Sequence, residues 1–133
     1  MQDRPSYDEL LAAVERFMDD EIVSHVEGSR GFHARVAANA LRIVRRELEI
    51  EDETLAAEWA GLAVLLGEQP RPDGRQALRE ALRARNAALC ERIRAGDADD
   101  GPFAQQVFEH VLRTVRDKLR ASDPALLERD GQA

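Results

Sequence analysis

Along the 133 residues of the chain, apolar side chains recur at intervals of three and four in five successive stretches, and no stretch alternates apolar with polar. That period lays them along one side of an α-helix and cannot be laid on a strand. The chain therefore reads as all-α. The stretches are separated by Gly28–Gly31, the acidic run Glu49–Glu53, Gly67–Gly74 with its two prolines, and Gly96–Pro102. Five helices with short connections predict a single up-and-down bundle domain over residues 1–124, followed by a tail, 125–133, that frays.

The first stretch opens with the capping-box spacing Ser6-x-x-Glu9 and carries Leu10, Leu11, Val14, Phe17, Met18 and Ile22. The second, about residues 32–48, sets Phe32, Val36, Ala40, Ile43 and Val44 on one side. Folded back on each other, these two helices are expected to hide Phe17 and Val36 from water. The third, about residues 53–66, aligns Leu55, Trp59, Leu62 and Leu66. A second capping-box spacing, Asp73-x-x-Gln76, starts the fourth, which carries Leu78, Leu82, Leu89 and Ile93. The fifth begins with Pro102, suited to a first turn, and shows Phe103, Val107, Phe108, Val111, Val115 and Leu119.

Charge follows the same segments. The net charge is −7, distributed as −6 over residues 1–29, +3 over 30–50, −5 over 51–70, +4 over 71–94 and −3 over 95–133. Neighbouring helices thus alternate in sign, as adjacent antiparallel helices would prefer, and the arginine clusters read mainly as internal partners for carboxylates. An acidic total speaks against nucleic-acid binding, which needs a concentrated basic surface. The lone cysteine, Cys90, excludes an intramolecular disulfide. No apolar run approaches the ~20 residues that span a bilayer, and the first residues carry acids where a secretory signal would be basic. The expectation is a soluble, cytoplasmic protein without a membrane partner.

Several polar residues sit where periodicity does not explain them. At 100° per residue, Glu21 and His25 project into the apolar arc of the first helix, and His33 lies between Ala40 and Val44 on the second. A carboxylate and two imidazoles at one bundle end are ingredients for a transition-metal site or an acid/base pair. The Glu-x-x-His and His-Glu-x-x-His spacings are absent. The cluster is therefore read as a hydrogen-bonded inward group, with no catalytic residue, no metal and no cofactor assigned. A second stripe, Arg35, Asn39, Arg42 and Arg46, lies beside His33 and could hold an anion; its other reading is a basic edge facing acidic helices, with Asn39 tied to a neighbouring backbone. Arg75 and Arg79 form another basic pair. Arg85 occupies a core-type slot, from which it is expected to snorkel to solvent. The third helix carries a small-residue flank, Ala57, Ala60, Gly61 and Val64, opposite Trp59 and Leu62. Such a helix is either the central one of the bundle or half covered by another chain, and the flank, which allows close approach, is the candidate for a homodimer or partner interface.

The run Phe32-His33-Ala34-Arg35-Val36-Ala37-Ala38-Asn39-Ala40-Leu41 is the most specific part of a resemblance that covers about residues 3–122. It is accompanied by Arg4-Pro5, by Leu89-Cys90-Glu91-Arg92-Ile93-Arg94 before Gly96, and by Val115-Arg116-Asp117-Lys118-Leu119. Together these resemble a small bacterial family of unknown function. Its members tend to be encoded beside aminoglycoside-phosphotransferase-like kinases and acyl-CoA dehydrogenases, and some are fused to the kinase-like chain. The resemblance implies context and no catalytic residue. The favoured role is a non-enzymatic accessory protein that docks on such a kinase-like enzyme or dehydrogenase, through the third helix or the basic face of the second. The alternatives are a module binding an acyl-CoA or nucleotide phosphate, and an enzyme using Glu21, His25 and His33.

Overall fold

Ser6 caps the first helix as its spacing implies. Its Oγ accepts from the Glu9 amide at 3.2 Å, and the Glu9 carboxylate accepts from the Ser6 amide at 2.7 Å. Helix α1 spans Tyr7–Phe17 and passes directly into a π-helical stretch, Met18–Val23. After a short turn, α2 runs over Gly28–Leu66. Then come α3 (Arg75–Arg94), α4 (Gly101–Ser122) and α5 (Pro124–Asp130). The computed structural model describes residues 4–130, and no strand occurs among them. The protein is all-α. Its residues group into two compact units, Met1–Glu49 and Ile50–Ala133.

The break expected at Glu49–Glu53 does not occur. That run contains neither Gly nor Pro, and glutamate is a good helix former, so its charge gives the helix no reason to stop. Consequently α2 takes in what reads as two helices. The tail is not frayed over its described part either, since Pro124, well suited to a first helical turn, opens α5. The capping box at Asp73 also fails to form: Gly74 is the N-cap, and Gln76 donates to Glu80 instead.

In the first unit, α1 and α2 form an antiparallel hairpin, shown by the order of their ion pairs. Arg45 reaches Asp8 and Glu15 at 2.8 Å each, while Arg42 reaches Glu15 at 3.1 Å and Asp19. The seam is made by the small residues Gly31, Ala34 and Ala38, the buried residues of this unit. At Gly31 a Cβ would lie 3.0 Å from the Val26 carbonyl carbon and nearer still to its oxygen, so only glycine lets the entering chain pass. The seam is therefore not the side that periodicity picks out. Phe17 and Val36, expected inside, are 55% and 53% exposed.

The core lies in the second unit. Trp59, Leu62 and Leu65 of α2 pack with Leu78, Leu82 and Leu89 of α3 and Val107 of α4. Each such side chain, buried, contributes about 1.5–3 kcal/mol. Contacts between α2 and α3 advance in the same direction: Glu51 with Arg79, Glu58 with Asn86, Leu65 with Arg92. These two helices therefore run parallel. The eight-residue loop from Gly67 to Gly74 travels back alongside α2 from Leu66 to the level of Asp52 and Leu55, about 21 Å at 1.5 Å per residue, which an extended chain of that length can span. By contrast α4 runs antiparallel to α2, with Arg120 on Glu53 and His110 on Gly61. An up-and-down order would have made α2 and α3 antiparallel. Charge complementarity selected the neighbour here and not its direction.

Candidate functional site

The inward cluster expected from Glu21, His25 and His33 does not assemble: all three side chains are exposed. Glu21 lies in the π-helical stretch, where each residue advances by less than 100°, so an α-helical projection points it the wrong way. His25 lies in the turn, with Nδ1 2.8 Å from the Ser24 hydroxyl. The His33 ring stands edge-on to Phe32, centroids 5.6 Å apart. Among the described residues no group of three or more His, Cys, Asp or Glu is placed to hold a metal ion.

The basic stripe of α2 divides. Arg42 is committed to Glu15 and Asp19, and its hydrogen bond with Asp19, the largest effect, holds its guanidinium above the ordinary value. Arg35 and Asn39 are exposed, so the Asn39 amide has no need of a backbone tie, while Arg46 is half-buried. Arg45, which periodicity did not single out, carries ion pairs to both Asp8 and Glu15. Its signal was the series Gly31, Ala34, Ala38, Arg42, Arg45, which continues a small-residue side at spacings of three and four.

Two buried charges hold α3 against α2. Glu51, 5% exposed, pairs with Arg79 and lies 3.7 Å from Arg75, and its Oε2 is buried without a hydrogen bond. Arg75 also makes a two-pronged contact with Asp52 at 2.7 and 2.8 Å, which holds the Asp52 carboxyl below its usual range. Arg85 does not snorkel: it is 6% exposed, lies 4.8 Å from the Trp59 ring and donates to the Leu62 and Gly67 carbonyls. Arg92 donates to the Leu65 carbonyl and covers the Phe103 ring at 4.0 Å. Two guanidinium groups thus meet the carbonyl end of α2, where the helix dipole favours cations.

A groove of about 470 Å³ opens beside the Arg75–Asp52 contact. It is lined by Asp52 and Leu55 of α2, Arg71 and Pro72 of the loop, and Gly74, Arg75 and Leu78. Its apolar floor and two arginines suit a ligand with an anionic head, although Arg75 is already shared by Asp52 and Glu51.

The small-residue flank of α2 meets its own chain at Gly61. At Gly61 a Cβ would lie 2.9 Å from His110 Cε1 and nearer still to Nδ1, so this glycine is where the buried His110 of α4 packs. Burial pushes the His110 pKa down, Glu58 opposing and Arg113 adding to that effect. Ala57 is half-buried and Ala60 exposed, while Val64 is 71% exposed. On α4 the outward stripe is Phe108, 67% exposed, with Val111 and Val115. Cys90 is free and exposed. Among the described residues no helix is long and apolar enough to cross a membrane.

No curated protein and no solved structure matches the chain. Residues 24–126 match DUF6285, a domain of unknown function, and the chain belongs to that family.

Proposed function

We propose that the protein is a non-enzymatic accessory subunit that docks on a partner enzyme through the apolar surface of Ala60 and Val64 on α2 and Phe108, Val111 and Val115 on α4. The observation that carries this reading is the exposure of Val64 and Phe108, the two most exposed large apolar side chains of the second unit. Outward apolar residues on two neighbouring helices are what a protein interface draws on. The family resemblance supplies the partner class: an aminoglycoside-phosphotransferase-like kinase or an acyl-CoA dehydrogenase encoded alongside, in a bacterial cytoplasm. Co-expression with both candidates tests it. One of them co-purifies with the native chain and is lost with Val64→Asp; recovery of neither removes the reading.

A second reading rests on the groove beside Arg75. There the protein holds an acyl-CoA or nucleotide phosphate, with Arg71 and Arg75 on the anion and Leu55 and Leu78 beneath the apolar part. Titration calorimetry with each ligand detects binding that Arg71→Ala weakens; no heat with either ligand removes it.

A further inference from the structure

Asp52 sits in the Arg75 groove where the anion of a ligand would have to go. Arg75 holds it with a fork, Nε to Oδ1 at 2.7 Å and Nη2 to Oδ2 at 2.8 Å. A guanidinium binds a carboxylate and a phosphate in that same geometry. The other arginine lining the groove, Arg71, stands close enough for its charge to add to the Arg75 hydrogen bond in lowering the Asp52 carboxyl. Asp52 therefore faces the two cations that the groove reading assigns to an anion.

Asp52 is also the member of this arrangement that can leave. Its side chain is 70% exposed and that of Arg75 51%, and an ion pair so open to water favours the closed arrangement by at most about fivefold. Arg75 has a second anchor, because the buried Glu51, paired with Arg79, lies 3.7 Å from its Nη1. The fork to Asp52 uses Nε and Nη2, so the guanidinium keeps Glu51 beside one edge while the other changes partner. Two arginines against one aspartate leave the lining positive, and the Glu51–Arg79 pair adds no net charge. A carboxylate entering the groove only replaces Asp52 like for like. A phosphate brings a third oxygen, which Arg71 can take while Arg75 keeps two.

We propose that Asp52 is a built-in competitor for the groove: a phosphate monoester binds by displacing the Asp52 carboxylate from Arg75, and the strength of that internal contact sets how tightly the groove holds its ligand. The proposal rests on the groove reading and deepens it.

Titration calorimetry with hexyl phosphate and with heptanoate, on the native chain, Asp52→Asn and Asp73→Asn, tests it. Asp52→Asn should bind hexyl phosphate about two- to fivefold tighter than the native chain does. Asp73→Asn removes the same charge from the exposed loop beside the groove and should stay within about 1.5-fold of native, since solvent and salt screen it. Heptanoate should bind every protein more weakly than hexyl phosphate. Binding of hexyl phosphate seen only in Asp52→Asn would support the proposal in its strongest form. Equal or weaker binding by Asp52→Asn, or an equal gain in Asp73→Asn, would overturn the proposal and leave the groove reading standing. Heptanoate bound as tightly as hexyl phosphate would overturn it as well. No heat from hexyl phosphate with either the native chain or Asp52→Asn would remove the proposal and the groove reading together.

Discussion

Gly61 offers a prediction whose sign depends on the α2–α4 contact. In an exposed helix interior, Gly→Ala stabilises by about 1 kcal/mol through backbone entropy. Here the new Cβ would enter the ring of His110, which is 7% exposed, so the buried ring or the helix must shift. Overpacking of that kind costs about 1–3 kcal/mol. Gly61→Ala is therefore expected to destabilise by up to about 2 kcal/mol net, lowering Tm by roughly 4 °C per kcal/mol for a chain of this size. Removing the ring removes the cost: in a His110→Ala background the same substitution should stabilise by up to about 1 kcal/mol. Urea unfolding followed by circular dichroism gives all four corners of this double-mutant cycle, with an expected coupling of about 1–3 kcal/mol. A Gly61→Ala that stabilises the native background, or equal effects in both backgrounds, would refute the close approach of α4 to α2.

Other outcomes follow from the buried charges. Glu51→Gln leaves Arg79 and Arg75 facing a neutral amide at a buried position and should destabilise by about 2 kcal/mol, discounted because both arginines remain partly solvated; unchanged urea midpoints would contradict it. Arg85→Met gives up two carbonyl bonds but also two buried unpartnered nitrogens, so its stability should stay within about 1.5 kcal/mol of native, whereas Arg85→Ala, which also empties the slot on Trp59, should lose about 3 kcal/mol; equal losses would show that packing is not what Arg85 supplies. Because burial lowers the His110 pKa in the folded state, the unfolded chain takes up a proton first as pH falls through about 6.5. Stability should therefore decline below that pH and should decline less in His110→Gln; identical pH profiles in urea titrations would count against a neutral buried imidazole.

Periodicity in the sequence located the helical stretches well and their faces unevenly. Where apolar spacing and burial agree, as at Trp59, Leu62, Leu78, Leu82 and Val107, the core was legible from the period alone. The first hairpin is the opposite case. Its seam is built from Gly31, Ala34 and Ala38, whose small volume makes little impression on a hydrophobic pattern, while Phe32 and Val36 mark an outward stripe. Segment charges identified α1 with the start of α2, and α3 with the middle of α2, as partners. They carried no sign of direction, because an ion pair such as Glu51–Arg79 forms equally well between parallel helices. The Glu21–His25–His33 cluster failed for a local reason: a π-helical stretch and a turn intervene, and neither follows the 100° projection.

The docking surface is tested most directly by titration calorimetry between the purified chain and the purified kinase-like or dehydrogenase partner. One partner should bind with micromolar or tighter affinity, weakened at least tenfold by Val64→Asp and by Phe108→Glu, a loss of about 1.4 kcal/mol or more, and left intact by Val36→Glu. Binding that ignores both substitutions on the second unit, or absence of binding to either partner, would contradict it.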